Sequence, residues 1–543
     1  MKRNFHTKMT ALGLTAAVAL SALQMTAIPA QAAVAERPTY LKSATYVSDA
    51  WVINFWNTES DHMEEELAQI AEDGFNSIVL VIPWREFQPK TDPVAYNDYA
   101  FRKLERIMET ANEKGLWVQI RLSYTWDYYE EEESALRFRE LLGGGRTERA
   151  WVSYVAKLYE TVSRYPNFYG GFLTWEDFWN YIEAAPISGQ GERSIQEADR
   201  IGYQDYLKEN YSLEQVSEYY GKGRFFRDFR AVYIPERTSP AYKLLYEYYD
   251  DVLTRLLQQA QQVFPDLSME VRLDVDPVNG KDGGKVGAHH YQTFPCGSAP
   301  YTSLMYSVSM GQQNQGEKIT AGQALDMMET QMNLVQTYNE RKPIYIDQLL
   351  YMDATERFSY NAQLLEQDRT VFLTALPSVL RRYTNGYGIW SYRNYAHNPV
   401  YNCQFVLGER GWDTSRAKME ERDGSCQMKL QDGGIIVQKI GHRIAGKDGS
   451  SNRVRFTADS DQPVTVAVTL GTVTKEVTVQ GAGSYELNFG RLNYEKLQFR
   501  AKGEVYLDNI QVYNFVQDGQ LYDMDGNELS CMAAMRELNG AMQ

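Results

Sequence analysis

Short apolar segments alternate with longer helical segments between residues 50 and 395, and this alternation constrains the fold more than any other feature. The helical segments, such as 63–74 and 100–115, carry apolar residues three or four positions apart and end at glycine, a common helix stop. Eight segments are predicted to be strands: 51–56, 75–84, 115–124, 168–176, 269–277, 301–310, 343–351 and 386–395. Eight strands separated by helices predict an α/β protein built on a (β/α)8 barrel. A doubly wound open sheet is the alternative, but no glycine-rich phosphate loop follows the first strand.

Composition divides the chain into further segments. The barrel is expected over residues 33–400, with an insertion at about 181–267, after the fourth strand, that is rich in Tyr, Glu and Arg. Residues 401–514 carry short alternating strands with almost no helical pattern, which predicts an all-β sandwich. Residues 515–543 are expected to form a short polar tail that ends in a candidate helix.

The first 32 residues have the pattern of a secretory signal peptide. MKRNFHTK supplies a positive start, an apolar run follows, and Ala30-Gln31-Ala32 matches a small-x-small cleavage site. A transmembrane helix is the alternative, but Ser21, Gln24 and Thr26 interrupt the run. The mature protein is therefore expected to be secreted after cleavage near Ala32.

Charge and composition narrow the class of partner. The formal net charge of −16 argues against nucleic acid or an anionic membrane surface, because both attract basic proteins. The 39 tyrosines and 10 tryptophans favour a carbohydrate partner, since aromatic faces stack on the C–H faces of sugar rings, although well-packed proteins are also rich in tyrosine. No later stretch is long and apolar enough to span a membrane.

Four cysteines are too few to build a disulfide scaffold. Outside the cell, Cys403 and Cys426 are the expected pair because both fall in the predicted β domain. The cysteine spacing fits no zinc motif, and the His289-His290 pair lacks further ligands at compatible spacing. We therefore expect no metal and no cofactor.

Strand alternation predicts which side chains enter the barrel, because helices cover the apolar outer face. The third strand sends Gln119, Arg121 and Ser123 inward. In the fifth strand, Arg272, Asp274 and Asp276 are expected inside. In the seventh strand, Tyr345 and Asp347 are expected inside, and Gln348 is expected outside unless a bulge intervenes.

Polar and aromatic residues converge on the C-terminal ends of the predicted strands, where the active sites of such barrels lie. The set is Trp84, Arg85, Arg121, Tyr124, Trp126, Glu176, Asp177, Asp274, Asp276, Tyr306, Asp347, Trp390 and Arg393. Two carboxyl groups and aromatic platforms are what glycoside hydrolysis requires. The alternative, most evenly balanced for Arg121, Arg272 and Asp274, is that these charges only neutralise one another inside the barrel.

Several stretches resemble the retaining glycoside hydrolases of the large (β/α)8 clan that includes β-galactosidases, cellulases and mannanases. FYGGFLTWED resembles the strand whose terminal Asn-Glu pair supplies the acid/base, with Trp175 in place of the Asn and Glu176 in place of the Glu. FNSIVLVIPWREFQPK resembles the second strand, GYGIWSY resembles the eighth, and the insertion GYQDYLKENYSLEQVSEYYG resembles the same region of family 42 β-galactosidases. The likeness covers about residues 45–400, and the order of the motifs carries it.

The resemblance implies roles for individual residues. Glu176 is the implied general acid/base, and sugar platforms and polar contacts are implied at Trp84, Arg121, Trp126, Trp175, Asp177, Trp179, Asp274, Tyr306, Gln348, Trp390 and Arg393. The C-terminal domain resembles jelly-roll carbohydrate-binding modules, especially in GEVYLDNIQVYNF. A sandwich that only buttresses the barrel remains an equal alternative.

The chain departs from the clan at the nucleophile. The seventh strand should end in a nucleophilic Glu, whereas KPIYIDQ places Gln348 there, and an amide cannot attack. Asp347 is the predicted nucleophile, with Asp274 as its rival. A barrel that binds polysaccharide without cleaving it is the alternative function, and an extracellular adhesion protein is a third.

Overall fold

Eight parallel strands close into a barrel in the computed structural model of the chain, which confirms the predicted fold class. In order around the barrel they are β1 (Leu41–Thr45), β2 (Ser77–Pro83), β3 (Trp117–Tyr124), β4 (Phe168–Leu173), β5 (Ser268–Val271), β6 (Thr302–Ser307), β7 (Ile344–Leu350) and β8 (Thr384–Ile389). The structure describes residues 36–59, 62–124, 131–174, 187–221, 225–273, 276–279, 285–288, 290–308, 314, 316–352, 362–396, 398–422, 424–440, 452–492, 495–513, 516–517 and 520–542. The predicted signal peptide lies outside these residues.

The first strand lies earlier than predicted. Strand β1 is LKSAT, whereas most of the predicted strand 51–56 forms a short helix, α1 (Val52–Phe55), whose four side chains are all buried. The Ser43 hydroxyl pairs with the Ser77 hydroxyl at 2.6 Å, both fully buried, so β1 lacks the apolar run that marks the other strands. The strand predicted at 51–56 was wrong because burial on all sides of a helical turn leaves the same apolar pattern as a buried strand.

Helices surround the barrel. They are α2 (Met63–Glu72), α3 (Trp84–Phe87), α4 (Asp98–Glu113), α5 (Glu131–Leu142), α6 (Gly145–Val162), α7 (Glu192–Arg200), α8 (Tyr203–Asn210), α9 (Leu213–Tyr220), α10 (Tyr242–Gln261), α11 (Ala321–Tyr338), α12 (Arg369–Ala375) and α13 (Pro377–Tyr383). Short 3-10 turns occur at Phe229–Ala231 and Glu366–Asp368. Helices α7 to α9 belong to the long connection after β4, where the sequence predicted an insertion with its own helices.

The end of the chain returns to the barrel. Helix α14 (Met532–Ala541) packs against α12, and its Leu538 and Met535 join the main barrel core. Asn539 links it to the outer barrel wall: its Oδ1 accepts from Tyr387 Oη of β8, and its Nδ2 donates to the Asp73 carbonyl at 2.8 Å. Helix α14 therefore covers the wall beside β1 and β8, and the β domain lies in the chain between β8 and the helix that covers it.

Residues 413–513 form an antiparallel β domain with its own core. Its strands are β9 (Asp413–Arg422), β10 (Ser425–Lys439), β11 (Asn452–Asp459), β12 (Val464–Leu470), β13 (Val473–Val479), β14 (Gly483–Gly490), β15 (Lys496–Lys502) and β16 (Val505–Tyr513). Strand β10 pairs with β15 through its second half and with β16 through its first half, so it joins the two halves of the sheet around one core. The predicted all-β C-terminal domain is confirmed.

Short two-stranded β-ladders occur in the loops. They pair Lys90–Thr91 with Val94–Ala95, Asp276–Asn279 with Lys285–Ala288, Lys318–Ile319 with Gln363–Leu364, and Tyr395–Ala396 with Val516–Gln517. The last pair ties the segment after β8 to the segment after the β domain.

All four cysteines are free thiols. Cys403 and Cys426 both pack in or against the core of the β domain, but they form no disulfide, so the predicted pairing was wrong. Within the described part of the chain, no helix combines the length and the apolarity needed to cross a membrane.

Candidate functional site

A polar cluster lies inside the barrel on strands β3, β4 and β5. Arg121 Nη2 lies 3.1 Å from Glu270 Oε2 and donates to Thr174 Oγ1 at 2.8 Å. The Thr174 hydroxyl in turn donates to Glu270 Oε1 at 3.2 Å. Arg121 is 2% exposed, and Glu270 and Thr174 are fully buried. A charged pair held this far from water depends on its hydrogen bonds, and here Thr174 bonds to both Arg121 and Glu270.

Gln348 of β7 extends this cluster across the barrel. Its Nε2 lies 3.3 Å from Glu270 Oε2. The amide is better satisfied when it is turned over: its oxygen then takes the place of Nε2 and accepts from both terminal nitrogens of Arg121, with Nη2 at 3.2 Å, instead of Nε2 donating to Glu270. Gln348 therefore faces the interior, where strict alternation would have sent it outward.

A β-bulge explains this direction. Ile346 pairs with Tyr387 and Leu349 pairs with Ile389, so Asp347 and Gln348 together face one residue of β8, Gly388. The pairing of β7 with β6 shifts at the same place. Two consecutive residues opposite one partner interrupt the alternation. The bulge that Gln348 needs in order to face inward is therefore present.

Asp347 lies in the barrel interior, 1% exposed, beside a layer of tyrosines. Burial raises the pKa of Tyr345 well above its usual value, and the negative charge of Asp347 raises it further. Burial likewise raises the pKa of Tyr301, with Asp347 a smaller contributor. The negative charge of Asp347 therefore acts on Tyr345 and Tyr301, which fill the barrel below the polar cluster.

Glycines in β8 make room for this arrangement. A Cβ on Gly386 would lie 2.7 Å from Leu41 Cβ and 3.0 Å from Tyr345 Cδ2, and one on Gly388 would lie 3.0 Å from Tyr345 Oη and 3.1 Å from the Asp347 carbonyl oxygen. The Tyr345 hydroxyl then reaches across to donate to Ser43 Oγ at 2.8 Å. Because Gly386 and Gly388 have no side chains, Tyr345 and the backbone of Asp347 can pack directly against β8.

An aromatic wall lies near the C-terminal ends of β1, β2 and β8. Half-buried Trp390 meets Trp51 edge-to-face with ring centroids 6.0 Å apart, and Trp51 stacks on Tyr395 at 5.3 Å. Val81 from the inner face of β2 packs in the same cluster. Segment 51–56, which was predicted to be a strand, thus supplies Trp51, and Trp51 packs against Trp390.

Two predicted contact residues belong to the core. Trp84 is 1% exposed; its indole donates to Gln88 Oε1 at 2.8 Å, and Phe138 and the Arg137 guanidinium cover its ring. Tyr306 is also 1% exposed and points outward, where its hydroxyl donates to the Ala324 carbonyl of α11 at 3.4 Å. Neither offers a sugar platform, because helices rather than the mouth occupy their surroundings.

Arg393 lies at a second location. Its Nη1 lies 2.7 Å from Glu66 Oε1, and Glu66 also accepts from Tyr46 and Ser48. These residues line a cavity of about 520 Å³ between the barrel, the β domain and the segment near Tyr522. None of the cluster residues Arg121, Thr174, Glu270, Asp347 and Gln348 lines that cavity, so Arg393 is not part of the barrel-interior site.

Several predicted site residues fall outside the part of the chain that the structure describes. They are Trp126, Trp175, Glu176, Asp177, Trp179 and Asp274. The described chain reaches Thr174 inside the barrel, two positions before Glu176.

Sequence reasoning missed Glu270 and Thr174. Glu270 alternates with outward Met269 and Val271 and has the same parity as Arg272, so alternation applied one residue pair earlier finds it. Thr174 follows inward Phe172 by two residues in the same way. Ser123 was predicted inside, but its hydroxyl accepts from Trp151 Nε1 of α6 at 3.0 Å, because the register of β3 shifts beside it and its φ is 66°.

No group of three or more His, Cys, Asp or Glu side chains with metal-binding geometry occurs among the described residues. The site described above consists of carboxylates, an amide, a guanidinium and aromatic rings.

Comparisons with known proteins concern the fold. No protein-family model matches the chain, and no curated protein matches it in sequence. Among solved structures it is similar to a GH5_18 protein from Streptomyces cattleya in complex with Manb1-4GlcNAc, at 14% identity and a TM-score of 0.42 over 66% of this chain and 72% of that one. It is also similar to a beta-galactosidase from Bacillus circulans sp. alkalophilus, at 11% identity and a TM-score of 0.46 over 66% and 51%. A third is the exo-beta-1,4-mannosidase Op5Man5 from Opitutaceae bacterium strain TAV5, at 12% identity and a TM-score of 0.40 over 68% and 54%.

Proposed function

We propose that this protein is a secreted glycoside hydrolase that cleaves an extracellular poly- or oligosaccharide with retention of configuration. The observation that carries the proposal is the bulge in β7, which brings Asp347 and Gln348 together to the inside of the barrel, with Gln348 beside Arg121 and Glu270. A carboxylate at the end of the seventh strand is what a double displacement needs. The aromatic wall of Trp51 and Trp390 supports a sugar ring as the ligand.

In this proposal Asp347 is the nucleophile and Glu176 the general acid/base. Asp347 attacks the anomeric carbon while Glu176 gives its proton to the leaving glycosidic oxygen, so one C–O bond forms as another breaks. Water then displaces Asp347 and returns a proton to Glu176. Retention requires the two carboxyl groups to lie about 5–5.5 Å apart, and inversion requires about 6.5–9.5 Å.

Arg121 and Gln348 would position the hydroxyl groups of the sugar that is bound next to Asp347. The guanidinium is rigid and permanently charged, which suits it to fix the orientation of neighbouring oxygen atoms. The Gln348 amide can both donate to and accept from sugar hydroxyls. Among the residues outside the described part, Trp126, Trp175, Asp177, Trp179 and Asp274 remain proposed substrate contacts.

Secretion is proposed from the first 32 residues alone. Their positive start, apolar run and small-x-small site are the features that the secretory pathway recognises. Edman sequencing of the protein from culture medium should begin at or close to Ala33.

A non-catalytic polysaccharide-binding protein is the second candidate, and a specific observation favours it. Gln348 occupies the position of the expected nucleophile, and its turned-over amide already accepts from Arg121, which is paired with Glu270. A cleft of this kind would still bind sugar but would leave the glycosidic bond intact.

Product release from a panel of polysaccharides and aryl glycosides separates the two functions. The wild-type protein should release reducing ends from at least one substrate, and Glu176→Gln and Asp347→Asn should each lose most of that activity. Asp326→Asn, an exposed carboxylate on α11, is the matched control and should keep it. Glycan binding in all four proteins with no product from any would establish the binding protein instead.

A further inference from the structure

Glu270 has no role in the sequence motifs or in the proposed mechanism, which uses Asp347 and Glu176 as its two carboxyl groups. Its two oxygens meet three side chains from three other strands: Arg121 of β3, Thr174 just after β4 and Gln348 of β7. It is fully buried, so its contacts are with the protein rather than with water. It therefore acts on the site through the residues that it holds.

We propose that Glu270 is the positioning carboxylate of this site: it holds Arg121, which in turn holds the Gln348 amide, and it offsets the charge of Arg121 at Asp347. The position expected for a carboxylate on β7 carries an amide, and a carboxylate on β5 meets that amide at 3.3 Å. Glu270 on β5 therefore supplies the negative charge beside Arg121 that a carboxylate at position 348 on β7 would have supplied.

This arrangement sets the electrostatic environment of Asp347. Gln348, the neighbour of Asp347, lies against both members of the Arg121–Glu270 pair. A lone guanidinium next to Gln348 would favour the charged form of Asp347, and a lone carboxylate there would favour the neutral form. Paired, the two largely cancel.

Other titratable groups face the same interior. Tyr345 of β7, Tyr301 before β6 and Tyr169 of β4 line the layer below. Burial raises the pKa of Tyr345 and of Tyr301 further away from the acid range. Arg272 follows Glu270 by two residues and keeps its charge throughout. Glu176 and Asp274, outside the described residues, stay unchanged in every variant used below, so they shift all the measurements alike.

Two single variants should move the titration midpoint of Asp347 in opposite directions, and the double variant should restore it. Glu270→Gln leaves Arg121 as the nearer charge and should lower the titration midpoint of Asp347 by about one pH unit. Arg121→Met leaves Glu270 and should raise that midpoint by a similar amount. The double variant removes both charges and should return close to wild type, and it leaves no lone buried charge to unfold the protein.

The midpoint is measurable without any substrate. The difference in unfolding free energy between each protein and the same protein carrying Asp347→Asn, followed from pH 3 to pH 8, reports the titration of Asp347 by linkage. Glu197→Gln is the matched control: Glu197 is also a buried carboxylate, bonded by Arg139 at 3.0 Å, but it lies on α7 outside the barrel. Glu197→Gln should lower the free energy of unfolding and leave the titration midpoint of Asp347 unchanged.

A second readout rests on the proposed hydrolase activity. The acid limb of kcat/KM should move in the same order, down for Glu270→Gln, up for Arg121→Met and back for the double variant. If no substrate is turned over, the hydrolase proposal fails while the stability titration still decides the role of Glu270. An Asp347 midpoint that stays fixed in both single variants, or that moves equally in Glu197→Gln, would overturn the inference.

Discussion

The side chains of Gln348 and Glu270 meet at 3.3 Å although strand β6 separates their strands in the sheet. The contact exists because the bulge at Asp347 turns Gln348 into the barrel. A one-residue irregularity therefore decides which side chains of β7 share the interior with Arg121. The proposed chemistry depends on this local detail rather than on the barrel as such.

Truncating the core side of α14 should destabilise the barrel. Leu538 is 1% exposed and packs in the main barrel core, so we expect Leu538→Ala to cost about 2–4 kcal/mol of unfolding free energy. Glu537→Ala, an exposed neighbour on the same helix, should stay within about 0.5 kcal/mol of wild type. Chemical denaturation measures both. Equal stability of the two variants would show that α14 does not contribute to the barrel core.

Asp250 should make the protein less stable as pH rises from 4 to 7. Burial raises the pKa of this carboxyl to about 7, despite the hydrogen bonds that it accepts from Gln292 and Thr293. A folded-state pKa above the unfolded value contributes stability below about pH 4, and that contribution is lost as pH rises through about 7.

We therefore expect Asp250→Asn to reduce the stability difference between pH 4 and pH 8 by roughly 2–4 kcal/mol. The exposed Asp205→Asn is the control and should leave that difference intact. Asp508, whose pKa burial raises to about 6, contributes equally to both proteins and cancels. A pH profile of Asp250→Asn parallel to that of wild type would contradict this assignment.

The thiols offer a direct check on the β domain. With all four cysteines free, thiol titration of the protein unfolded without reductant should give four equivalents per chain. In the native protein, half-exposed Cys426 should react first, because Cys296, Cys403 and Cys531 are buried. Two equivalents instead of four, together with a melting temperature that falls on reduction, would show that one disulfide is present and contradict this assignment.

The sequence predicted much of the barrel because periodicity survives wherever strands are apolar outside and helices are amphipathic. Alternation placed Arg121 correctly from β3, and the same rule finds Glu270 in β5. It failed at β1, where inward Ser43 removes the apolar signal, and at Ser123, where a positive φ interrupts the alternation of side chains.

The site itself was less predictable, for two physical reasons. Whether Gln348 faces inward depends on a bulge, which is set by pairing with the neighbouring strands and leaves no local pattern. Large aromatic residues such as Trp84 and Tyr306 look the same in sequence whether a helix or a ligand covers them. Pairing of Arg393 with Glu66 joins segments 327 residues apart and has no counterpart in any motif.

The central claim is that Asp347 is the nucleophile of a glycoside hydrolase, and covalent trapping tests it most directly. Activated 2-deoxy-2-fluoroglycosides of several sugars, incubated with the wild-type protein, should accumulate a glycosyl-enzyme because the fluorine slows its breakdown. Peptide mapping by mass spectrometry should place the sugar on Asp347, and Asp347→Asn should remain unlabelled. A label on Glu270 or Asp274, or hydrolysis that proceeds with inversion and leaves no label, would contradict the account.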